Sequence, residues 1–147
     1  MAYERNDTSE IDGIIQHIRN NANFSAIGVE LFAPDGEWGT QIARFLREKT
    51  KMTQLRKVFG EIKRIERKTK GKGEDAPFED QSSLYLLIPQ LAFAKARKLI
   101  QDKFYEIIKL IIGGGKNTPT KIKTIGDYQR FVEFMTAIVA YHKEYSK

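Results

Sequence analysis

An all-α fold, a compact bundle of five to six helices, is what this 147-residue sequence predicts, and three observations lead there. Apolar residues recur at spacings of three and four through most of the chain. Separate strand-like runs bounded by turn signals are missing. Segments with glycine or proline at 33–36, 70–77 and 113–119 punctuate the periodic stretches. The length is that of one domain, and 41% hydrophobic residues with 9 Phe and 6 Tyr supply a core without staples. The expected organisation is a single helical domain over 1–147, in which residues 1–35 form an N-terminal segment whose role is open.

In the first element, Ser9 to Asp12 reads as a cap, and Ile11, Ile14, Ile15 and Ile18 share one face of a helix over about 9–20. Residues 23–32 are apolar without a clear period and form a connector, for which extended chain is one reading, before the Ala33-Pro34-Asp35-Gly36 turn. A second helix over about 37–48 buries Trp38, Ile42, Phe45 and Leu46. The third starts at a Thr53 cap. Its residues Leu55, Val58, Phe59, Ile62 and Ile65 fall in an arc of roughly 120°, given about 100° per residue. Arg56, Lys57, Lys63, Arg64, Arg67 and Lys68 occupy most of the opposite side.

After the loop at 70–77, a strongly apolar region runs from Leu84 to Ile112. Pro89 lacks an N–H and clashes with the preceding turn, so a short helix before it and a long one after it are expected. The triple glycine at 113–115 ends the run. A last helix over about 126–145 places Tyr128, Phe131, Val132, Met135, Ile138, Val139 and His142 on one face.

Several chemistries lack the residues they need. With no Cys and only His17 and His142, a disulfide framework and thiolate metal sites are excluded, and imidazole sites have little to draw on. Gly113-Gly114-Gly115-Lys116 departs from a phosphate loop, because Leu110 holds the first glycine position and Asn117 the Ser/Thr position. Neither histidine has the context of a catalytic base, and His142 lies on an apolar stripe. Glu74-Asp75 and Glu79-Asp80 are adjacent pairs that read as helix-start charge rather than a metal cluster. The expectation is no enzyme, no metal and no cofactor. There is no run of roughly 18 apolar residues and no signal-like N-terminus, so a soluble cytoplasmic protein without a membrane partner is expected.

Charge is unevenly placed. The net +6 divides into −5 over residues 1–40, +9 over 41–73 and +2 over 74–147. A focused positive potential suits phosphate backbones irrespective of base sequence, and a solvated lysine-rich face is the alternative. Phe24, Trp38, Phe78, Tyr85, Phe104, Tyr105, Tyr141 and Tyr145 do not alternate with the basic stripe, so most read as core or subunit interface. Tyr3, Tyr141 and Tyr145 are the exceptions expected to be free for base stacking.

Three segments together resemble a known family. They are Thr53-Gln54-Leu55-Arg56-Lys57-Val58-Phe59-Gly60-Glu61-Ile62, the stretch from Leu84 through Pro89-Gln90-Leu91-Ala92-Phe93-Ala94-Lys95-Ala96-Arg97, and Phe131 through His142. Their order and spacing are similar to those of the small helical subunit of type III-A CRISPR effector (Csm) ribonucleoproteins, over residues 40–145. The resemblance implies a non-catalytic subunit present in several copies, a homo-oligomer. Its implied partners are guide RNA and target RNA, a backbone subunit and a large polymerase-like subunit, with RNA met through basic residues and cleavage left to other subunits. The expected RNA contacts are Arg44, Arg47, Lys49, Lys51, Arg56, Lys57, Lys63, Arg64, Arg67, Lys95, Arg97 and Lys98. For Gln54 and Arg97, capping and interhelix hydrogen bonding are the alternative roles. A competing reading is a protein-binding scaffold without RNA contact, its oligomer seam built from apolar residues exposed on the last two helices.

Overall fold

The computed structural model describes residues 2–47 and 50–145, with side chains from Ser9 onward. Among the described residues six α-helices follow one another: α1 (Ala2–Arg19), α2 (Trp38–Leu46), α3 (Met52–Arg67), α4 (Gln81–Ala96), α5 (Asp102–Ile112) and α6 (Ile125–Tyr145). The apolar stripes read from the sequence face inward. Ile11, Ile14, Ile15 and Ile18 of α1, Leu55, Val58, Ile62 and Ile65 of α3, and Phe131, Met135 and Ile138 of α6 are all buried in one hydrophobic cluster. Helix α6 packs against α2 and α3, α1 against α2 and α5, and α4 against α5.

Three boundaries differ from the sequence reading. Helix α1 begins at Ala2, so Ser9 lies inside it, and Thr53 lies in the first turn of α3, whose N-cap is Lys51. The expected break at Pro89 does not occur: α4 runs through the proline and ends at Ala96. Pro89 is exposed, so solvent has access to the side of the helix where the ring removes a backbone bond. The break comes instead at Lys98, whose φ is +62°. Lys98 N–H donates to Lys95 O (2.9 Å) and Leu99 N–H to Ala94 O (2.9 Å), the paired bonds of a Schellman stop built on a lysine where glycine is usual.

The connector after α1 forms two short 3-10 turns, Phe24–Ala26 and Val29–Leu31, rather than extended chain. Phe24, Ile27 and Phe32 are buried there, with Phe24 edge-on to Phe131 and Phe134. Residues before 36 thus complete the core over α6.

Polar groups inside this frame are held by many hydrogen bonds. Thr124 and Asp127 form a capping box at the start of α6. Asp127 N–H donates to Thr124 Oγ1 (3.1 Å), and Asp127 Oδ2 accepts from the N–H groups of Thr124 (3.1 Å) and Lys123 (2.9 Å). Oδ1 accepts from Ser25 N–H (3.0 Å), tying the first 3-10 turn to α6. Burial would push this carboxyl up, but the hydrogen bonds from Ser25, Lys123 and Thr124 outweigh it and hold the group below the ordinary aspartate value. The Tyr128 hydroxyl donates to Ile62 O (2.6 Å), joining α6 to α3. Its ring stacks on Phe78, and burial pushes the phenol upward. Lys121 Nζ donates to Asn21 O (2.6 Å) just beyond the end of α1, and burial together with Lys123 and Arg19 draws its pKa down.

His142 is buried, with Nε2 3.0 Å from both Arg47 O and Thr50 O, so this nitrogen carries the proton it shares between them. It anchors the link between α2 and α3, as a core histidine does. The 113–115 glycines form a turn rather than a phosphate cradle: Gly113 and Gly114 have positive φ, and Gly114 lies so close to the Tyr85 ring that a Cβ would stand 2.7 Å from it.

Candidate nucleic-acid interface

The cations of α3 divide into two ridges. At about 100° per residue, Arg56, Lys63 and Arg67 lie within about 40° of one another on one flank of the apolar stripe. Lys57, Arg64 and Lys68 cluster as tightly on the other flank. The second ridge faces α4, since Lys68 Nζ meets Asp80 Oδ2 at 3.3 Å at the start of that helix.

Ion pairing separates these side chains further. Lys63 binds Glu66 (2.7 Å), and Arg64 meets Glu61 Oε2 through Nη2 (2.9 Å) and Nε (3.1 Å), each pair within α3. Arg56, Lys57 and Arg67 are exposed and make no ion pair among the described residues. Their charge is uncompensated by a neighbour, so it dominates the local potential.

A groove of about 430 Å³ runs between α3 and α4. Gln54 and Lys57 line one wall, and Leu87, Pro89, Gln90, Phe93 and Arg97 the other. The Arg97 guanidinium lies 5.6 Å from the Phe93 ring, whose side is largely solvent-exposed. Gln54 makes no side-chain hydrogen bond among the described residues, which leaves its amide facing the groove rather than capping a helix.

The remaining expected contacts lie elsewhere. Arg47 and Lys51 are exposed in the approach to α3, and Arg44 is half-buried, its Nε without a partner among the described residues. Lys49 lies outside the described residues. Lys95 turns away from the groove to lie 4.6 Å above the Tyr105 ring of α5, and Lys98 is exposed at the α4 stop. Lys109, which the sequence reading passed over, approaches the same ring at 5.7 Å; the i, i+4 spacing from Tyr105 was its only signal. Among the aromatic residues expected to be free, Tyr145 is exposed, but Tyr141 donates its hydroxyl to Ala33 O (2.6 Å) and belongs to the fold. The Tyr3 side chain lies outside the described residues.

No group of three or more His, Cys, Asp or Glu among the described residues is placed to hold a metal ion. No helix among them is long and apolar enough to cross a membrane. The family model for Csm2 of type III-A matches residues 36–147, well over half of the chain. The chain belongs to the Csm2 family. As a Csm2-family protein it is a small subunit of the type III-A CRISPR Csm complex and associates with other Csm subunits. No curated protein and no solved structure matches it. The Csm2 match contains α2 to α6, hence both cationic ridges and the groove, and leaves out α1 and the two 3-10 turns.

The large apolar residues exposed among the described residues gather mainly on α4. The large apolar side chains of α5 are buried or half-buried against the core, whereas α4 exposes Tyr85, Leu86 and Phe93. Helix α4 is apolar on two faces: Leu84, Leu87, Leu91 and Ala94 point inward, while Leu86, Pro89 and Phe93 point out at i, i+3 and i+7. Of the two helices on which the sequence reading placed exposed apolar residues, the one drawn from about Pro89 to Ile112 contributes Phe93, now part of α4, and α6 contributes Tyr145.

Proposed function

We propose that this chain is a non-catalytic RNA-binding subunit of its complex, gripping guide and target RNA by their phosphate backbones and assembling in several copies into a filament for antiviral defence. The observation that carries the reading is the exposed, unpaired set Arg56, Lys57 and Arg67 on α3, with Arg97 across the groove from Lys57. Point charges on flexible stems neutralise phosphates without reading bases, so binding is salt-sensitive and indifferent to sequence. The exposed apolar face of α4 supports the assembly half, because a helix apolar on both faces is stable when a neighbour covers the outer one. Guide RNA, target RNA, the backbone subunit and the polymerase-like subunit are the partners of this reading, the cytoplasm its compartment, and one domain over 1–147 its unit.

Fluorescence anisotropy with two unstructured RNAs of equal length and different sequence tests it. Equal affinities that fall together with salt are expected, and no RNA turnover on adding magnesium or manganese. A strong preference for one sequence, or cleavage of either, would contradict the reading. The scaffold alternative, in which α4 meets protein alone, predicts no salt-sensitive RNA binding at all.

A further inference from the structure

Gly60 stands at the centre of the cationic face of α3, between the two ridges. Its nearest neighbours on a helix surface are the residues three and four positions away. All four are basic here: Arg56 and Lys57 before it, Lys63 and Arg64 after it. Gly60 is exposed, and among the described residues no side chain or neighbouring element comes within 4 Å of the position a Cβ would take. A glycine inside a helix weakens it, and where the backbone must be approached closely glycine is the residue that permits it. Among the described residues nothing approaches Gly60, so its backbone is open to a group from outside.

We propose that Gly60 is the seat of one RNA backbone phosphate, an oxyanion that settles on the bare helix barrel and is ringed by Arg56, Lys57, Lys63 and Arg64; the proposal rests on the RNA-backbone reading above. The missing Cβ leaves open space flanked at three and four positions by four basic residues, so a phosphate there is met by several charges at once. Glu61 and Glu66, which hold Arg64 and Lys63 in the free protein, are half-exposed partners in surface ion pairs. Such pairs are weak and exchange readily for a phosphate. Gly13 of α1 is the internal contrast. It too is exposed with an open Cβ position, but its neighbours at three and four positions are Ser9, Glu10, Gln16 and His17.

The full-length Gly60→Ala, Gly60→Leu and Gly13→Ala variants distinguish the roles, each read by thermal unfolding and by anisotropy with an unstructured single-stranded RNA over a range of salt. Alanine and leucine favour helix over glycine, so the melting temperature should rise at both sites. Affinity should fall several-fold in Gly60→Ala and further in Gly60→Leu, and the slope of log affinity against log salt should shrink by about 0.7, one phosphate of a single strand, although no charge has been removed. Gly13→Ala should bind as wild type does. Wild-type affinity and slope in both Gly60 variants would overturn the seat and leave the RNA reading standing. A wild-type protein without salt-sensitive binding would overturn that reading, and the seat with it.

Discussion

Helices α6 and α3 lie against each other and treat their polar residues in opposite ways. On α6, Asp127, Tyr128, Arg130 and His142 each reach a partner on another segment: Asp127 takes the Ser25 N–H, Tyr128 meets Ile62 O, Arg130 the carbonyls of Ser25 and Ile27, and His142 those of Arg47 and Thr50. On α3, Lys63 and Arg64 find partners only within their own helix, and Arg56, Lys57 and Arg67 find none among the described residues. Polar groups that hold a fold together are satisfied within it. Those left exposed and unpaired add nothing to the bundle, and their charge is available to a partner. Substitutions on α6 should therefore act on stability, and substitutions on α3 on binding.

The largest stability loss should come from Asp127→Ala, which leaves the N–H groups of Ser25, Lys123 and Thr124 without an acceptor. Chemical denaturation should show a loss of about 3 kcal/mol, since charge-assisted hydrogen bonds and helix caps each contribute on the order of 1 to 2. The same group sets an acid limb. Its pKa is lower folded than unfolded, so its contribution is full above the unfolded value of about 3.9 and is lost as pH falls through the lower folded value. Asp127→Asn should flatten that part of the stability profile below about pH 4. A profile unchanged by the substitution would mean that the carboxylate does not hold the three amides together.

Tyr128→Phe should cost about 1 to 2 kcal/mol, because Ile62 O loses its buried donor while the ring stays in place. Arg64→Ala should cost less than about 0.5 kcal/mol in the same measurement, its pair with Glu61 being half exposed and confined to one helix. A reversal of that order would dissolve the contrast between the two helices.

The sequence shows some of this contrast and conceals the rest, for reasons of range. Periodicity reports which face a helix buries, so Ile11 to Ile18 and Leu55 to Ile65 were legible as core. The cationic side of α3 was legible for the same reason. Its division was not, because whether Lys63 and Arg64 turn to Glu66 and Glu61 depends on side-chain rotamers. The stop after α4 misled because proline is the stronger local signal, while the break at Lys98 places a non-glycine residue at positive φ and has no signature in composition. Thr124-x-x-Asp127 was a readable capping box, but the apolar stripe that begins one residue later is the stronger local signal. The contact from Asp127 to Ser25 spans more than a hundred residues and no local pattern announces it.

The most direct measurement compares wild type with Arg56→Glu/Lys57→Glu/Arg67→Glu by anisotropy on an unstructured single-stranded RNA at several salt concentrations, with thermal unfolding of both proteins alongside. The account predicts melting temperatures that agree closely, and a salt slope in the triple variant smaller by about 1.4, two phosphates at roughly 0.7 each, one shared by Arg56 and Lys57 and one met by Arg67. A folded triple variant that binds RNA with the wild-type affinity and slope would contradict it, and would remove RNA binding from this face of α3.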